Sequence, residues 1–292
     1  MQYFIQILIN GISLGALYAM VALGVALVFG VMRMINFAHG GFIMIGGYVV
    51  YLLAGGPLAL WTAAAVLGVT AIAILAERIA FRPFRKADGT TLLVASFALN
   101  TIIQAIAQMI SGSVPYSPAL PSFLSSFVGI AGISISSLSL ITVSVAVIVV
   151  GALVLFFRRT PVGVQMRAAA ENFQMARLVG VNANRVISLA FAISGGLAGI
   201  SAILLIAQSG SVSPSFGFQP VIIGFVAVVI GGMGSLPGAA LGGIIIGLGT
   251  TLLQGFLPEE AMGYRDAFVF AGVILLLLFL PRGVFGTKER RA

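Results

Sequence analysis

Nine apolar runs separated by short polar segments dominate the chain. A helix that crosses a bilayer needs roughly 20 apolar residues, and most of the runs approach that length. We therefore predict an all-α polytopic membrane protein with about eight or nine transmembrane helices, some of them short or broken. The runs cover residues 4–31, 40–54, 58–76, 91–111, 138–157, 186–208, 218–233, 236–257 and 267–281.

The composition supports this interpretation, since 60% of the residues are hydrophobic and only 8% are charged. Those proportions exclude a soluble globular domain. The first apolar run has no basic leader and no small-residue cleavage site, so we expect no cleavable signal peptide. We expect residues 1–292 to form a single transmembrane domain.

The basic residues predict the topology. Thirteen of the fifteen lysines and arginines fall in three clusters, at residues 78–86, 158–185 and 282–291. Basic residues near the ends of spans favour the cytoplasm, so the net charge of +8 indicates topology and no nucleic-acid partner. Even numbers of apolar runs separate the clusters, which places all three on one side. The N-terminus and the loops at 112–137 and 258–266 should then lie outside, and the C-terminus in the cytoplasm.

The longest basic segment, residues 158–185, is called the elbow here. It carries five arginines and one acid, Glu171. Its apolar spacing is helical, and Gly180 is a typical helix stop. The residues that carry this spacing are Met166, Ala169, Ala170, Phe173, Ala176 and Leu178. A structured cytoplasmic segment on a membrane protein predicts a docking site for another protein.

The chain shows no sign of its own energy source. None of its seven acids lies within an apolar run, and the nearest, Glu77, directly precedes Arg78. Ion-coupled transporters usually place ionisable groups or oxygen ligands at mid-membrane depth. A glycine loop for nucleotide phosphates is also absent from the sequence. The single histidine, His39, has no cysteine or nearby acid beside it, so we expect a structural histidine and no catalytic residue, metal or cofactor.

Two polar stretches, at residues 33–41 and 209–220, precede short apolar runs in the two halves of the chain. Breaks at matching places suggest an internal repeat, and freed backbone groups there can line a substrate site. Two ordinary interfacial loops would give the same pattern. Asn36 and His39, in the first stretch, are candidate pathway residues.

A polar stripe runs along the fourth apolar run, and its members share one helix face. It consists of Ser96, Asn100, Gln104 and Gln108. The stripe either forms hydrogen bonds between helices or lines a polar pathway, and Asn100 and Gln104 are its pathway candidates. Leu92 is expected to face lipid. Glycines four residues apart, such as Gly243 and Gly247, predict close helix packing within one bundle.

Five segments carry a resemblance to a known family. They are NGISLGALYA at 10–19, INFAHG at 35–40, RAAAEN at 167–172, ARLVGV at 176–181 and VVIGGMGSLPGA at 228–239. In this order, over essentially the full length, they resemble the permeases of bacterial branched-chain amino acid ABC importers of the LivH type. The resemblance implies an inner-membrane complex with a second related permease, two ATP-binding cassette subunits and an external solute-binding protein.

In the wider importer class, a cytoplasmic Glu-Ala-Ala, three residues and a glycine seat a short helix in a groove of the ATPase. Counting back from Gly180, this chain has Gln174-Met175-Ala176, so only the alanine and the glycine match. The resemblance nevertheless implies coupling through the elbow. The expected coupling residues are Arg167, Ala170, Glu171, Asn172, Ala176 and Gly180.

Other functions remain open at the level of sequence. Related permeases import urea, short amides or other amino acids, and a passive channel would also lack mid-membrane charges. An intramembrane enzyme would need paired acids or a histidine with a nucleophile, and the sequence offers neither. A zwitterionic substrate needs groups for its ammonium and carboxylate, and the sequence offers few evident charged residues for them. This favours brief, weak contact during passage.

Overall fold

The computed structural model describes residues 2–85, 87–130, 133–281 and 283–285. Five basic residues of the predicted clusters, Lys86, Arg282, Lys288, Arg290 and Arg291, lie outside these residues. The helices are α1 (Gln2–Met32), α2 (Ala38–Leu53), α3 (Leu58–Ala76), α4 (Gly89–Ser111), α5 (Ser137–Arg159), α6 (Pro161–Glu171), α7 (Phe173–Leu178), α8 (Ala183–Ser209), α9 (Phe218–Gly231), α10 (Leu236–Phe256) and α11 (Arg265–Phe279).

All nine predicted apolar runs are helical. Among the described residues, seven helices are long and apolar enough to cross a membrane, and α2 and α9 are shorter apolar helices. The prediction of an all-α polytopic protein with some short helices is therefore confirmed. Short helices at these two positions follow from the polar breaks that precede them, at residues 33–37 (the first break) and 210–217 (the second break).

The segment 112–137, predicted as a plain loop, also contains regular structure. Strands β1 (Phe127–Ile130) and β2 (Ile133–Ser136) pair antiparallel, after a short 3₁₀ turn at Ser122–Ser125. The side chain of Gln6 fixes this hairpin to α1, since its amide nitrogen donates to Ser134 O at 2.8 Å and its carbonyl oxygen accepts from Ser134 N. The hairpin lay outside the sequence prediction because its strands are only four residues long.

The bundle has two ends, and the loops divide between them as the counting of apolar runs predicts. One end, the hairpin end, holds the start of α1, the hairpin and residues 209–212, where Tyr116 and Val212 exchange two backbone hydrogen bonds. The other end, the elbow end, holds the end of α1 and the elbow. Helix α10 runs antiparallel to α1, because the Tyr3 hydroxyl donates to Gly255 O at 2.9 Å near one end and Gly243 packs on Ala19 further along.

Helix α1 lies at the centre of the bundle and packs against α8, α9 and α10. Close approach of backbones makes this possible. A Cβ built on Gly247 would lie 2.2 Å from the Cα of Gly15. The predicted role of the spaced glycines in packing one bundle is therefore confirmed at this pair. Helix α11 lies at the periphery and has no buried residue.

A buried carboxylate holds α3 to the elbow end. Glu77 begins a π-helical turn (Glu77–Phe81) and is fully buried. The Arg85 guanidinium forms an ion pair with it and also donates to the Asn184 side chain, while the Ser188 hydroxyl donates to its second oxygen at 2.7 Å. The partner of Glu77 is thus Arg85, seven places beyond the Arg78 that adjoins it in sequence. The hydrogen bonds of Arg85 to Asn184 and of Ser188 to Glu77 join the end of α3 to the start of α8.

One expected lipid-facing side chain is buried. Leu92 is 5% exposed and belongs to the main core, because the elbow end of α4 turns that face towards the protein. The expectation of a lipid-facing Leu92 was therefore wrong. Thr101 on the same helix is exposed and provides a better reference position.

We predict that Gly247→Ala destabilises the protein and that Gly249→Ala, on the same helix, does not. The added methyl at position 247 overlaps the backbone of α1, and overpacking of this kind costs about 1–3 kcal/mol. At position 249 no atom outside the local helix lies within 4 Å. The check is the thermal unfolding midpoint in detergent, and equal midpoints for the two variants would contradict the packing described here.

Candidate transport site: the elbow, the helix breaks and the adjoining cavities

The elbow folds into two short helices, where the sequence pattern suggested one helical segment. Thr160 caps α6, with its hydroxyl accepting from Gly163 N at 3.0 Å, and Pro161 occupies the first turn. Asn172 then leaves helical geometry (φ −149°, ψ 100°) and caps α7 by accepting from Met175 N. Asn side chains compete with the backbone for hydrogen bonds and therefore favour such caps. The chain turns sharply at Asn172.

Gly180 ends α7 as predicted. Its φ is +90°, a backbone conformation that residues with a Cβ rarely adopt. The N–H of Val181 donates to Ala176 O, and the N–H of Gly180 to Arg177 O. This pair of bonds is the Schellman arrangement that satisfies the last carbonyls of a helix.

The expected coupling residues differ in how exposed they are. Four are exposed: Arg167, Glu171, Asn172 and Gly180. Ala170 is half-buried. Ala176 is 4% exposed and packs into the main core, so within the elbow its side chain faces the bundle.

One side of the exposed surface of α7 is apolar, beside the exposed Gln174 and Arg177, and the charge pattern of the elbow did not predict it. Met175, Leu178 and Val179 are 61%, 81% and 80% exposed. We call these three residues the elbow knob. Clustered apolar side chains on a polar, charged segment are typical of a surface that another protein covers.

Arg33 links the elbow to the first break. Its guanidinium Nη2 donates to Ala170 O in the last turn of α6 at 2.8 Å. A cation at a helix C-terminus is favourable because the last carbonyls carry partial negative charge. Arg33 is also the one non-glycine residue with positive φ (54°) among the described residues. The residue that opens the first break therefore lies in a strained backbone conformation and holds the elbow.

The first break satisfies its backbone through side chains. The Ser96 hydroxyl accepts from Phe37 N at 3.1 Å and lies within hydrogen-bond distance of Ile35 O. The Asn36 side-chain oxygen accepts from Ala38 N, at the start of α2. Asn36 and Ser96 are both buried, and the amide nitrogen of Asn36 has no partner within the described residues.

His39 is buried in the first turn of α2. Its Nδ1 lies 3.1 Å from the Ser194 hydroxyl, which donates to Gly24 O at 2.9 Å. Because that hydroxyl has one proton, Nδ1 carries the proton and donates to Ser194. Nε2 packs against Gly24 and has no partner among the described residues. These contacts support the predicted structural role for this histidine.

The second break meets the first turn of α2, which directly follows the first break, inside the bundle; we call this place the point where the breaks meet. A Cβ built on Gly217, at the end of the second break, would lie 1.9 Å from Gly40 O in α2. The Asn100 side-chain oxygen faces the same place, 3.2 Å from a Cβ built on Gly41, and has no partner within the described residues. Asn100 lies near the middle of α4 (Gly89–Ser111). The contact between the second break and the start of α2 therefore lies inside the bundle.

The structure brings three of the four predicted pathway residues to this region. Asn36, His39 and Asn100 are each at most 2% exposed. Gln104, one helical turn further along α4, is half-buried. Within the described residues, no cluster of three or more His, Cys, Asp or Glu side chains could hold a metal ion.

Two adjoining cavities lie beside the second break. One, of about 290 Å³, lies between α1, α9, α10 and α11. The other, of about 480 Å³, extends towards the ends of α8 and α10 at the hairpin end. Both are lined by Tyr18, Gln219, Ile223 and Thr250. Sequence reasoning missed these residues, although a glutamine at the start of an apolar run was a usable signal.

Comparison with known proteins identifies the family of the chain. The family model described as the permease component of the branched-chain amino acid transport system matches residues 7–288. The chain belongs to the branched-chain amino acid transport permease family.

Several relatives align along nearly the whole chain. The high-affinity branched-chain amino acid transport system permease protein LivH of Escherichia coli K12 is 35% identical over 98% of this chain and 97% of its own length. BraD of Pseudomonas aeruginosa, similarly described, is 34% identical over the same shares. A probable LivH of Methanocaldococcus jannaschii is 28% identical over 98% of this chain and 94% of its own. No solved structure matches the chain significantly.

We predict that Ser194→Ala destabilises the protein and that Ser201→Ala, the same change two turns along α8, does not. The first change leaves His39 Nδ1 and Gly24 O without their shared partner, at a cost of about 1–3 kcal/mol. The Ser201 hydroxyl is buried without a described partner, so its removal is neutral or stabilising. Thermal unfolding of both variants checks this, and an undiminished midpoint for Ser194→Ala would be incompatible with the assigned contacts.

Proposed function

We propose that the chain is the membrane-spanning permease subunit of an ATP-driven ABC importer that carries leucine, isoleucine and valine across the bacterial inner membrane. The full-length similarity to LivH and BraD supports this proposal most directly. In it, the chain pairs with a second related permease, two ATP-binding cassette subunits and an external solute-binding protein. The substrate passes through chemically unchanged, and ATP hydrolysis belongs to the partner subunits.

The proposed orientation follows from the two ends of the bundle. The elbow end carries Arg33, Arg78, Arg82, Arg85 and the five arginines of the elbow, whereas Glu259, Glu260 and Asp266 lie towards the hairpin end. Basic residues near span ends resist translocation, so the elbow end faces the cytoplasm. The N-terminus is then outside and the C-terminus in the cytoplasm.

The elbow is the proposed ATPase contact. The elbow knob offers an apolar surface of three side chains, with Arg167, Glu171 and Asn172 exposed near it. The buried Ala176 and the Schellman bonds at Gly180 hold the knob in a fixed position. A partner that grips the knob therefore moves α6 and α7 together.

Arg33 transmits that movement in the proposed mechanism. Since its guanidinium holds Ala170 O, displacement of α6 pulls on the residue that opens the first break. The break in turn is bonded to α4 through Ser96, and the first turn of α2 that follows it packs on the second break through Gly40 and Gly217. Closure of the ATPase subunits would thus change the contact between the breaks and switch the permease between inward-facing and outward-facing states.

The substrate pathway is proposed to pass the place where the breaks meet. Asn36 Nδ2 and Asn100 Oδ1 are buried polar atoms without described partners, a costly arrangement in a tightly packed interior. A substrate with an ammonium and a carboxylate could bond to both kinds of atom when the helices separate. Gln104 would continue this polar line along α4.

Reversal of charge at Glu171 should lower transport without preventing insertion. We expect Glu171→Arg to weaken co-purification of the ATP-binding subunits and to reduce ATP-dependent leucine uptake, because the residue is exposed on the elbow. Glu259→Arg, the same reversal at the hairpin end, is the control and should leave both quantities unchanged. Gly180→Pro should act like Glu171→Arg, since proline cannot adopt φ +90°. Normal uptake in both elbow variants would remove the elbow from the mechanism.

Leucine at position 100 should impair uptake more than leucine at position 101. Asn100 is buried where the breaks meet, and Thr101 is exposed on the next face of α4. We expect leucine uptake by Asn100→Leu to fall by about tenfold or more, which corresponds to ~1.4 kcal/mol. Thr101→Leu should retain wild-type uptake. Equal tolerance of the two changes would refute a role for the stripe in transport.

The function itself is tested by purifying the tagged chain with its partners from native membranes and reconstituting the complex in liposomes. We expect ATP-binding subunits and a second permease to co-purify, and radiolabelled leucine to accumulate only with ATP and a loaded binding protein. Accumulation of urea or short amides instead would keep the architecture and change the substrate. Recovery of the chain alone, with ATP-independent flux, would indicate a passive channel.

A further inference from the structure

A pair of opposite charges lies beside the two cavities at the start of α11. Arg265 Nε and Nη2 donate to Asp266 Oδ1 at 3.1 and 2.9 Å. The other carboxylate oxygen of Asp266 accepts from Gln219 Nε2 at 3.2 Å. The rest of α11, beyond Asp266, carries no charged residue. The pair is thus an isolated charged feature at the edge of the membrane-spanning part.

Each charge faces one of the cavities. Asp266 lines the cavity of about 290 Å³ and Arg265 the cavity of about 480 Å³. The two side chains keep 33% and 49% of their surface exposed, for Arg265 and Asp266 respectively, so neither is closed off by the ion pair. Small-molecule sites are mostly apolar with a few convergent polar groups, and the smaller cavity fits that description.

The wall of the smaller cavity suits an aliphatic side chain. Ile222, Ile223, Ile246 and Val269 line it together with the polar side chains of Tyr18, Gln219 and Thr250. Branched side chains pack well against such a wall, and their burial is favourable in proportion to the area removed from water. The cavity therefore combines an apolar compartment with charges of both signs at its edge.

We propose that these joined cavities are an entry site for an aliphatic α-amino acid zwitterion, in which Arg265 binds the carboxylate, Asp266 binds the ammonium and the branched side chain lies against Ile222, Ile246 and Val269. The proposal rests on the proposed function and adds the residues that recognise the substrate. It also revises the sequence-based expectation that charged groups for the substrate are lacking.

The site adjoins the place where the breaks meet. Phe216 and Gln219 line the larger cavity and flank Gly217, the residue that packs on Gly40. The larger cavity also reaches Gln208, Ser209 and Gln254 at the hairpin end. A substrate released at that end would thus enter the cavity that Arg265 lines together with Ser213, Ser215 and Phe216 of the second break. The Arg265–Asp266 bond opens in the bound state, and each charge exchanges its neighbour for the opposite group of the substrate.

The test measures uptake of radiolabelled L-leucine by the complete reconstituted complex, with saturating leucine-loaded binding protein. The variants are Arg265→Gln and Asp266→Asn, and Glu259→Gln is the matched control, since it removes a charge of the same end without lining either cavity. We expect uptake by each of the first two to fall at least about tenfold, as for loss of one partner in a hydrogen-bonded charge pair. The control should equal the wild type, and all variants should co-purify with their partners.

A charge-swapped double variant, Arg265→Asp with Asp266→Arg, separates recognition from a structural ion pair. It keeps the pair but exchanges the positions of the charges, so uptake should stay low. Val269→Phe fills the apolar compartment and leaves both charges in place, and it too should lower uptake in an assembled complex. Should the single variants fail to assemble, Val269→Phe decides alone.

Several outcomes overturn the proposal. Normal uptake in both single variants, full recovery in the double variant, or normal uptake in Val269→Phe would each show that the cavity does not recognise substrate. Loss of the second permease from the single variants, together with normal uptake in Val269→Phe, would assign the pair to a subunit interface. Absence of leucine uptake by the wild-type complex would instead contradict the proposed function, whatever the variants do.

Discussion

The interior of this bundle depends on hydrogen-bond partners for the backbone N–H and C=O groups where helices are interrupted away from water. In a membrane, each N–H and C=O that leaves a helix needs a protein partner, because lipid offers none. Between α1 and α2 those partners are the Ser96 hydroxyl, which accepts from Phe37 N, and the Asn36 side chain, which accepts from Ala38 N. The Arg33 guanidinium in turn satisfies Ala170 O in the elbow. The remaining contact is backbone against backbone, at Gly40 and Gly217. Through Ser96, Arg33 and Gly40, the first break and the start of α2 are joined to α4, to α6 and to the second break.

This arrangement makes the first break a junction between the elbow and the middle of the bundle. A positive φ costs about 1–2 kcal/mol for a residue with a Cβ, and Arg33 has a φ of 54°. The same residue forms the hydrogen bond to Ala170 O, so the strained residue is the one that contacts the elbow. The ion pair of Glu77 and Arg85, with its hydrogen bonds to Asn184 and from Ser188, holds the end of α3 to α8 without any such strain. The proposed coupling therefore runs through the strained connection.

The sequence predicted local features well and long-range ones poorly. Apolar runs, caps and the glycine stop at Gly180 depend on neighbouring residues, so the spans and the helical elbow followed from pattern alone. The contact of Gly40 with Gly217 depends on the packing of distant segments, and nothing local announces it. The same holds for Arg85 as the partner of Glu77 and for the buried position of Ala176. Arg265 and Asp266 were visible as loop charges, but only the packing of α9 against α11 brings them beside a cavity.

Site-specific crosslinking from the elbow knob is the most direct test of whether the elbow contacts an ATP-binding cassette subunit. The chain contains no cysteine, so Leu178→Cys introduces a single thiol, at a position that is 81% exposed. After attachment of a short photoreactive crosslinker in native membranes, we expect a covalent product with an ATP-binding cassette subunit. The yield of that product should change when ATP is bound. A product with lipid only, or no protein product in membranes that still import leucine, would contradict it.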